Sequence, residues 1–282
     1  MFQYAAGRSL ALRKGQDLKL DLSGFAQYGL HHGFELARVF ACDAQVATAT
    51  DIRRVLKWQS PAIIRRLLAR QKMQSFRRQT FVVEPHFSYW PGINDVPDAC
   101  YLAGYWQSEK YFADQTPQIR QDFRFGPSMS EENETIAELI ASSNAISIHI
   151  RRGDYLKNPI NVSIYGICSL AYYQAAIAHI AERVSNPHFI VFSDDLAWAR
   201  EHLNTGFQMT YVDHNFGTES YNDMRLMSLC QHHIIANSTF SWWGAWLGSH
   251  PEKMVIAPDP WFDDQRMNSS DLIPDTWHTL SK

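Results

Sequence analysis

The sequence predicts an α/β protein whose second half is built around a parallel sheet. From about residue 130 onward, short runs rich in β-branched and aromatic residues alternate with stretches of helical length. Strands that alternate with helices in this way form βαβ units, whose strands pair in parallel. The predicted strands are AISIHI (145–150), FIVFS (189–193), MTYV (209–212), HIIA (233–236) and MVIA (254–257).

Five helices are predicted around these strands, over 131–142, 169–184, 195–203, 218–230 and 238–248. The first part of the chain is less regular. It predicts a helix over Phe2–Lys14, a short strand in LKLDL (18–22) and a basic helix over 60–78, followed by aromatic loops. We therefore expect two domains, one over residues 1–128 and one over 129–282.

Composition excludes several classes of protein. Hydrophobic residues make up 45% of the 282 residues and charged residues 20%, which is typical of a folded chain and not of a disordered tail or coiled coil. The net charge of −3 gives no basic field to attract nucleic acid, so no nucleic-acid partner is expected. The basic cluster RRLLARQKMQSFRR (65–78) is interpreted as a solvated helix face rather than a phosphate or nucleic-acid patch.

The expected cellular location rests on two features that the sequence lacks, a membrane-spanning segment and a signal peptide. No apolar run reaches the roughly 18 residues that a membrane-spanning helix needs. The start of the chain lacks the order of features that marks a signal peptide, and the four cysteines form no C-x-x-C pair. We predict a cytoplasmic protein with reduced thiols, with peripheral contact at the inner face of the membrane as an option.

Polar side chains follow four of the predicted strands. AISIHI runs into Arg151-Arg152-Gly153-Asp154, FIVFS into Asp194-Asp195, HIIA into Asn237-Ser238-Thr239, and MVIA into Pro258-Asp259. The carboxyl ends of parallel strands meet at one edge of a sheet, where ligands bind in open α/β folds. Four such endings together predict a ligand site at this edge.

The residue types at these ends suit a diphosphate. Guanidinium groups bind phosphate oxygens bidentately, so Arg151 and Arg152 are candidate phosphate ligands; a salt bridge to Asp154 is the alternative. Asn237-Ser238-Thr239 opens a helix whose N-terminus favours an anion, although plain N-capping would place the same residues there.

The acidic pair and the strand histidine each have two interpretations. From Asp194-Asp195 we expect one contact to a guanine edge or a ribose, and one cap on the following helix. His149 lies within a strand, where a lone histidine is more often a core residue than a catalyst. Trp242, Trp243 and Trp246 are expected in the core rather than on a sugar platform.

The absence of known motifs narrows the chemistry further. No P-loop, complete G-x-G-x-x-G or G-x-S-x-G occurs, so ATPases, dinucleotide oxidoreductases and serine hydrolases lose support. No D-x-D occurs, and His232 and His233 are adjacent, so in a strand they face opposite ways. We expect a diphosphate held without a metal or cofactor, beside Asp154 as candidate base.

Several segments together resemble one enzyme family. HIRRGDY (149–155), FSDD (192–195) and NSTFSWWGAWL (237–247) are similar to motifs of the α-1,2-fucosyltransferases of glycosyltransferase family 11. The stretch DMRLMSLCQHHIIA (223–236) and the opening MFQYAAGRSLA are also similar. The resemblance extends over essentially the whole chain.

The resemblance implies a GT-B-like fold, with two Rossmann-type domains and a cleft between them. It implies transfer of L-fucose from GDP-β-L-fucose to the 2-hydroxyl of a galactose-terminated glycan, with inversion and without a required metal. Such a reaction would serve bacterial surface-glycan assembly, in lipopolysaccharide or capsule.

The matching motif positions imply roles for individual residues. Arg151 and Arg152 would hold the GDP phosphates and neutralise the charge that develops as the sugar bond breaks. His149 and Asp194 would contact the nucleoside. Asp154 is the candidate base on the acceptor hydroxyl. The diphosphate site would be lined by Asn237, Ser238, Thr239 and Phe240.

The start of the chain departs from the family pattern. Family members usually place a strand and a G-x-G-N-Q type of turn before the equivalent of Met1. From this we expect a start codon assigned too late, or a fragment. A non-catalytic protein that binds a nucleotide sugar or a glycan is therefore the alternative function, and a metal-dependent transferase of another fold is a third.

Overall fold

A computed structural model of the chain describes residues 1–25, 33–203 and 205–282. The side chains of Asp154, Lys157, Ile160 and Asn161 lie outside the described part. The chain forms two compact units. The N-terminal unit comprises Met1–Pro127 with Ser270–Pro274, and the C-terminal unit comprises Ser128–Ser269 with Asp275–Lys282.

The N-terminal unit begins with the predicted helix. That helix ends where Gly15 adopts a left-handed conformation, with φ 61°, and its N–H bonds back to the last turn. The elements of this unit are α1 (Phe2–Lys14), α2 (Leu36–Val39), α3 (Ala49–Leu56), α4 (Ala62–Leu68), β1 (Phe81–Val83), β2 (Tyr101–Ala103) and α5 (Thr116–Asp122). Strands β1 and β2 pair in parallel as a two-stranded sheet.

The C-terminal unit contains the predicted alternation of strands and helices. Its elements are α6 (Glu131–Ala141), β3 (Asn144–Ile150), α7 (Gly153–Lys157), α8 (Pro159–Tyr165), α9 (Leu170–Ala181), β4 (Pro187–Ser193), α10 (Leu196–His202), β5 (Gln208–Tyr211), α11 (Tyr221–Leu229), β6 (His232–Ile234), α12 (Thr239–Leu247), β7 (Val255–Asp259) and β8 (His278–Ser281). The strands form one six-stranded sheet in the order β5-β4-β3-β6-β7-β8, and every pairing is parallel. The predicted α/β fold with parallel strands is confirmed.

Strand β3 lies in the interior of the sheet, and both of its faces are buried. Ile146, Ile148 and Ile150 point to one side and pack in a core with helix α9. Ala145 points to the other side, into a second core with helices α6 and α11. Successive side chains of a strand face opposite ways, so a strand buried on both sides requires helices on both faces of the sheet.

The predicted basic helix over 60–78 is wrong in its length. Helix α4 ends at Leu68, and residues Gln71–Phe76 form a 3-10 helix. The guanidinium of Arg77 donates hydrogen bonds to the carbonyls of Leu68, Ala69 and Arg70. The last carbonyls of a helix need such donors, so Arg77 stabilises the end of α4 where the pattern predicted its continuation.

Two other features differ from the sequence prediction. LKLDL contributes a single bridge, between Leu20 and Val46, rather than a strand. Strand β8 adds an edge strand that was not predicted, because HTLS has no apolar pattern and three of its four residues are exposed. None of the helices in the described ranges is both long and apolar enough to cross a membrane.

Candidate functional site

The sheet of the C-terminal unit has a topological switch point between β3 and β6. The chain passes from β3 to β4 and β5 on one side, and then returns to β6 on the other side of β3. Ile148 pairs with Ile234 across these two strands, and Arg151 and Asn237 each follow their member of this pair by three residues. Ligands of doubly wound sheets bind where the strand order reverses in this way.

The end of β3 is fixed to the end of β4 through Asp194. Its Oδ1 accepts a hydrogen bond from the backbone N–H of Arg152 at 2.8 Å, and its Oδ2 lies 3.5 Å from Nε of Arg151. A Cβ on Gly153 would lie 3.0 Å from the carbonyl oxygen of Asp194, so a side chain here would require Asp194 to shift by a few tenths of an ångström. Asp194 therefore orients the arginine pair from the adjacent strand.

Arg152 is held between an aromatic ring and a carboxylate. Its Cζ lies 4.1 Å from the ring centroid of Trp198, and its Nε lies 3.9 Å from Oδ2 of Asp195. That Nε is buried and has no hydrogen-bond acceptor among the described residues. A buried guanidinium donor with no acceptor is suited to bind an anionic oxygen.

Asp195 caps the helix that follows it, as predicted. Its Oδ1 accepts a hydrogen bond from the backbone N–H of Trp198, three residues on, at the start of α10. The cap fixes the first turn of α10, which carries the indole that lies over Arg152. Of the acidic pair, Asp195 is thus the cap and Asp194 the group nearest to the arginines.

The N-terminus of α12 supplies the other half of the arrangement. Ser238 caps the helix by accepting a hydrogen bond from the N–H of Phe240 at 3.3 Å, while Thr239 is exposed. The nine residues of α12 direct their peptide dipoles so that the N-terminal end carries partial positive charge. Capping and anion binding remain compatible here, because the side chain of Ser238 occupies only one N–H group.

The side chain of Asn237 is turned into the protein interior. Its side chain is buried, and its Nδ2 donates to the carbonyl of Tyr165 at 2.6 Å and to that of Trp261 at 3.2 Å. Its own backbone carbonyl accepts a hydrogen bond from the Tyr155 hydroxyl. The Asn237 side chain therefore braces the chain segments around the candidate site, and its place in a diphosphate site stays a prediction.

His149 is buried in the sheet beneath these groups. Burial, and then the positive charge of Arg151, lower the pKa of its imidazole to about 3. Its ring lies 5.6 Å from that of Phe240, and its Nδ1 has no hydrogen-bond partner within the described chain. A neutral imidazole can accept or donate a hydrogen bond. With so low a pKa the ring stays unprotonated at neutral pH, so it is not suited to take up a proton as a catalytic base.

The remaining predicted residues are placed as follows. The backbone of Asp154 lies in the first turn of α7, but its side chain is outside the described part of the chain, so its role as base stays a prediction. Trp242, Trp243 and Trp246 are buried and pack against one another, which confirms their place in the core. Within the described ranges, no group of three or more His, Cys, Asp or Glu side chains is arranged to hold a metal ion.

Sequence reasoning missed a carboxylate beyond the end of β5. Asp223 lies in the first turn of α11, and burial raises the pKa of its carboxyl to about 7, although a hydrogen bond from Asn215 opposes this. Asn215 in turn exchanges hydrogen bonds with Asn133. An acidic residue in the helix turn that follows a strand-end loop was the available signal, and it was read only as part of a family motif.

Comparison with known proteins supports a single family. The family model described as Glycosyl transferase family 11 matches residues 61–281. An alpha-1,2-colitosyltransferase of Escherichia coli is 35% identical, over 100% of this chain and 95% of its own length. The O-antigen biosynthesis glycosyltransferase WbnK of Escherichia coli is 31% identical, over 99% of this chain and 96% of its own length.

More distant similarities point the same way. The mouse galactoside alpha-(1,2)-fucosyltransferase 2 is 27% identical over 52% of this chain and 44% of its own length. Among solved structures, the fucosyltransferase NodZ from Bradyrhizobium aligns with a TM-score of 0.50 at 16% identity, over 86% of each chain. A structure of NodZ with GDP gives the same TM-score at 18% identity and the same coverage. Identity at this level shows a shared fold, which is the predicted GT-B-like one.

Proposed function

Because this chain belongs to glycosyltransferase family 11, we propose that it is a galactoside 2-α-L-fucosyltransferase. In this proposal it transfers L-fucose from GDP-β-L-fucose to the 2-hydroxyl of a terminal galactose, with inversion at the anomeric carbon. The acceptor belongs to a bacterial surface glycan, in line with the O-antigen role that the name of the 31% identical relative states.

The observation that carries the proposal is the pairing of two cationic elements at the switch point of the sheet. Arg151 and Arg152 follow β3, and the N-terminus of α12 follows β6, the next strand in the sheet. A diphosphate carries negative charge that both elements attract. Because protein groups alone can neutralise this charge, the proposed reaction needs no metal ion or other cofactor.

The proposed reaction is a single displacement. The oxygen of the acceptor 2-hydroxyl forms a bond to C1 of fucose, while the bond from C1 to the β-phosphate oxygen breaks and its electron pair leaves with GDP. Arg152 donates to the departing phosphate through the Nε that has no other acceptor among the described residues. Stabilising charge that develops in the transition state typically changes rates by about 10²–10³ for one such donor.

The acceptor hydroxyl must lose its proton as it attacks, and Asp154 is our candidate to accept it. Asp154 follows Arg152 by two residues and lies at the start of α7. His149 is a poor candidate for the same task, because its pKa of about 3 leaves it a very weak base. Its neutral ring is proposed to contact the nucleoside instead, together with Asp194.

A second donor is favoured by one comparison. The 35% identical relative is named as a transferase of colitose, a sugar that differs from L-fucose by lacking the 3-hydroxyl. A site built to hydrogen-bond that hydroxyl would reject colitose strongly, whereas a site without such a contact would accept both sugars. GDP-colitose is therefore the alternative donor for the same fold and the same phosphate site.

The test is GDP release in the presence of EDTA, with lactose as acceptor and with GDP-fucose and GDP-colitose compared side by side. We expect release from GDP-fucose that depends on lactose, and an α-1,2-linked product by NMR. Faster release from GDP-colitose would replace the donor in the proposal. Activity that EDTA abolishes would reject the metal-free reaction.

Titration with GDP-fucose distinguishes the proposed enzyme from the remaining alternative, a non-catalytic binding protein. A chain that binds GDP-fucose but releases no GDP with any of several galactosides would be a nucleotide-sugar binding protein. A chain that binds neither GDP sugar would contradict the phosphate site itself, since that site should bind the diphosphate whether or not transfer occurs.

A further inference from the structure

Exposed apolar side chains are concentrated in one short segment of the N-terminal unit. The exposed fractions are 84% for Ile63, 64% for Phe76, 59% for Trp58 and 45% for Leu67. Single exposed apolar residues are common on protein surfaces, but four large ones within nineteen residues are a concentration that calls for a partner. We refer to this segment and its exposed side chains as the 57–76 surface.

These side chains are exposed because other apolar residues of the same helices form the core. Leu56 and Leu68 are buried with Phe81, and Ile52 and Ile64 pack against them. In α4, Ile63 and Leu67 are one turn apart and lie away from this core, beside the exposed Arg66. The helices therefore bury one apolar face and present a second one to solvent.

Two polar side chains hold the 57–76 surface together. Buried Gln59 donates to the carbonyl of Phe76 at 2.8 Å and accepts from the N–H of Arg78, so Trp58 and Phe76 lie on neighbouring stretches of chain. Arg77 binds the carbonyls at the end of α4, two of which belong to Leu68 and Arg70. The exposed side chains thus belong to one folded element and not to a loose loop.

The 57–76 surface is also strongly basic. Residues 57–76 contain five Lys and Arg and no Asp or Glu, although the whole chain has a net charge of −3. Arg65 is paired with Asp21 in the interior of the unit, at 3.2 Å. The other four side chains, of Lys57, Arg66, Arg70 and Lys72, are exposed among the apolar ones.

We propose that the 57–76 surface binds an anionic lipid bilayer, with Trp58, Ile63, Leu67 and Phe76 inserted at the headgroup level and the basic side chains on the lipid phosphates. Aromatic and aliphatic side chains interleaved with Lys and Arg are what an interfacial membrane element requires. A solvated face, which the sequence alone suggested, accounts for the charges but leaves the four apolar side chains unexplained. A second copy of the chain is a poor occupant, because two such surfaces would oppose like charges.

The test is flotation of the full chain with two kinds of vesicle. One contains equal parts of phosphatidylglycerol and phosphatidylcholine, and the other contains phosphatidylcholine alone. We expect partitioning onto the anionic vesicles to exceed that onto the neutral ones by about tenfold or more, since each basic side chain near an anionic surface contributes about fivefold. No association with the anionic vesicles at low salt would overturn the proposal.

Two double variants separate the apolar from the basic contribution. Ile63→Ser with Leu67→Ser should lower partitioning by about tenfold. Arg66→Glu with Arg70→Glu should lower it by about 25-fold or more, since each lost cation contributes about fivefold. The matched controls are Phe216→Ser with Leu229→Ser, and Arg183→Glu with Arg266→Glu, which make equivalent changes at exposed positions of the C-terminal unit. If a double variant and its control lowered partitioning equally, the 57–76 surface would not be a dedicated membrane-binding surface.

A fluorescent probe tests the same contact without relying on a weakened variant. Ile63→Cys, labelled with an environment-sensitive dye, should shift its emission to the blue on anionic vesicles, and Phe216→Cys should not. If sedimentation instead shows a dimer that Ile63→Ser with Leu67→Ser disrupts, and no vesicle binding occurs, the surface is an interface between copies and the lipid proposal fails. None of these measurements depends on the sugar donor or acceptor.

Discussion

Positive charge is concentrated at two places in this molecule, and the two differ in how the fold treats the side chains. At the end of β3, Arg151 and Arg152 are partly buried and positioned by Asp194, Asp195 and the ring of Trp198. On the 57–76 surface, four of the five basic side chains are exposed and lie among exposed apolar ones.

The difference indicates what each cluster can recognise. Fixed guanidinium groups, partly withdrawn from water, suit a small anion of defined geometry, because little freedom is lost on binding. Exposed cations on flexible stems suit an extended surface, where the number of charges matters more than their arrangement. The sequence motif RR occurs in both regions, so the motif alone does not separate them.

The largest effect should come from the fixed cluster. We expect Arg152→Ala to lower turnover by about 10²–10³-fold, because it removes the donor that we propose to bind the departing phosphate. The measurement is the steady-state rate of GDP release, with thermal unfolding to verify the fold.

The matched control is Arg183→Ala, which removes an exposed arginine of the same unit. Turnover of Arg152→Ala within about threefold of the parent would mean that Arg152 serves only the packing of Trp198. In that case the two clusters would not differ in the way described above.

The second effect concerns the buried carboxyl of Asp223. No cation is among the interactions that set its pKa. The pKa of Asp223 is raised to about 7 by burial, whereas an unfolded aspartate has a pKa near 4. Between these values the unfolded state loses its proton while the folded state keeps it. The free energy of unfolding should therefore fall as pH rises from about 4 to about 7, and this contribution should be constant above that range.

Asp223→Asn removes this titration and keeps an oxygen that can accept from Asn215. We expect the variant to be more stable than the parent above pH 7, by up to about 4 kcal/mol, and to lose the advantage below pH 4. Urea unfolding at several pH values measures the difference, and subtracting the parent curve removes the effect of the histidines. A difference that does not change with pH would contradict the raised pKa.

A smaller effect should come from the ring over Arg152. Trp198→Leu removes the cation–π contact and leaves the Asp195 cap in place, so we expect GDP affinity to fall by about three- to tenfold. Titration calorimetry measures this change. Trp198→Phe should restore most of the affinity, because it returns an aromatic face; failure of Phe to do better than Leu would point to volume rather than to the ring.

The smallest expected effect is that of salt on GDP binding. It can be compared with the effect of salt on vesicle binding by the same protein. Raising the salt concentration from 0.1 M to 0.5 M should release the chain from anionic vesicles, because salt screens exposed charges strongly. GDP binding should weaken by no more than about threefold under the same change, since the arginine pair is partly buried and, in our proposal, donates hydrogen bonds directly to the diphosphate. Equal salt sensitivity would remove the distinction between the clusters.

The sequence predicted the sheet of the C-terminal unit well because its strands are short apolar runs between helical stretches. Five strands and their order along the chain followed from that pattern, whereas β8 did not, since its edge position demands no apolar residues. The spatial order of the strands, with β6 beside β3, cannot be read from local patterns and needed the structure.

The candidate site was predictable in position but not in the orientation of each side chain. Strand ends located Arg151, Asp194 and Ser238, because parallel strands bring their carboxyl ends together. The same rule could not tell that the amide of Asn237 turns inward, or that the pKa of Asp223 is raised. Both depend on contacts between residues far apart in the chain.

The hydrogen bonds that Nδ2 of Asn237 donates end on the backbone carbonyls of Tyr165, Gly166 and Trp261. Contacts of this kind hold the course of the neighbouring segments but impose nothing on their side chains. New side chains can therefore arise around the site while its frame stays as it is. One asparagine thus lets the side chains around the candidate site vary while the backbone that surrounds it keeps its course.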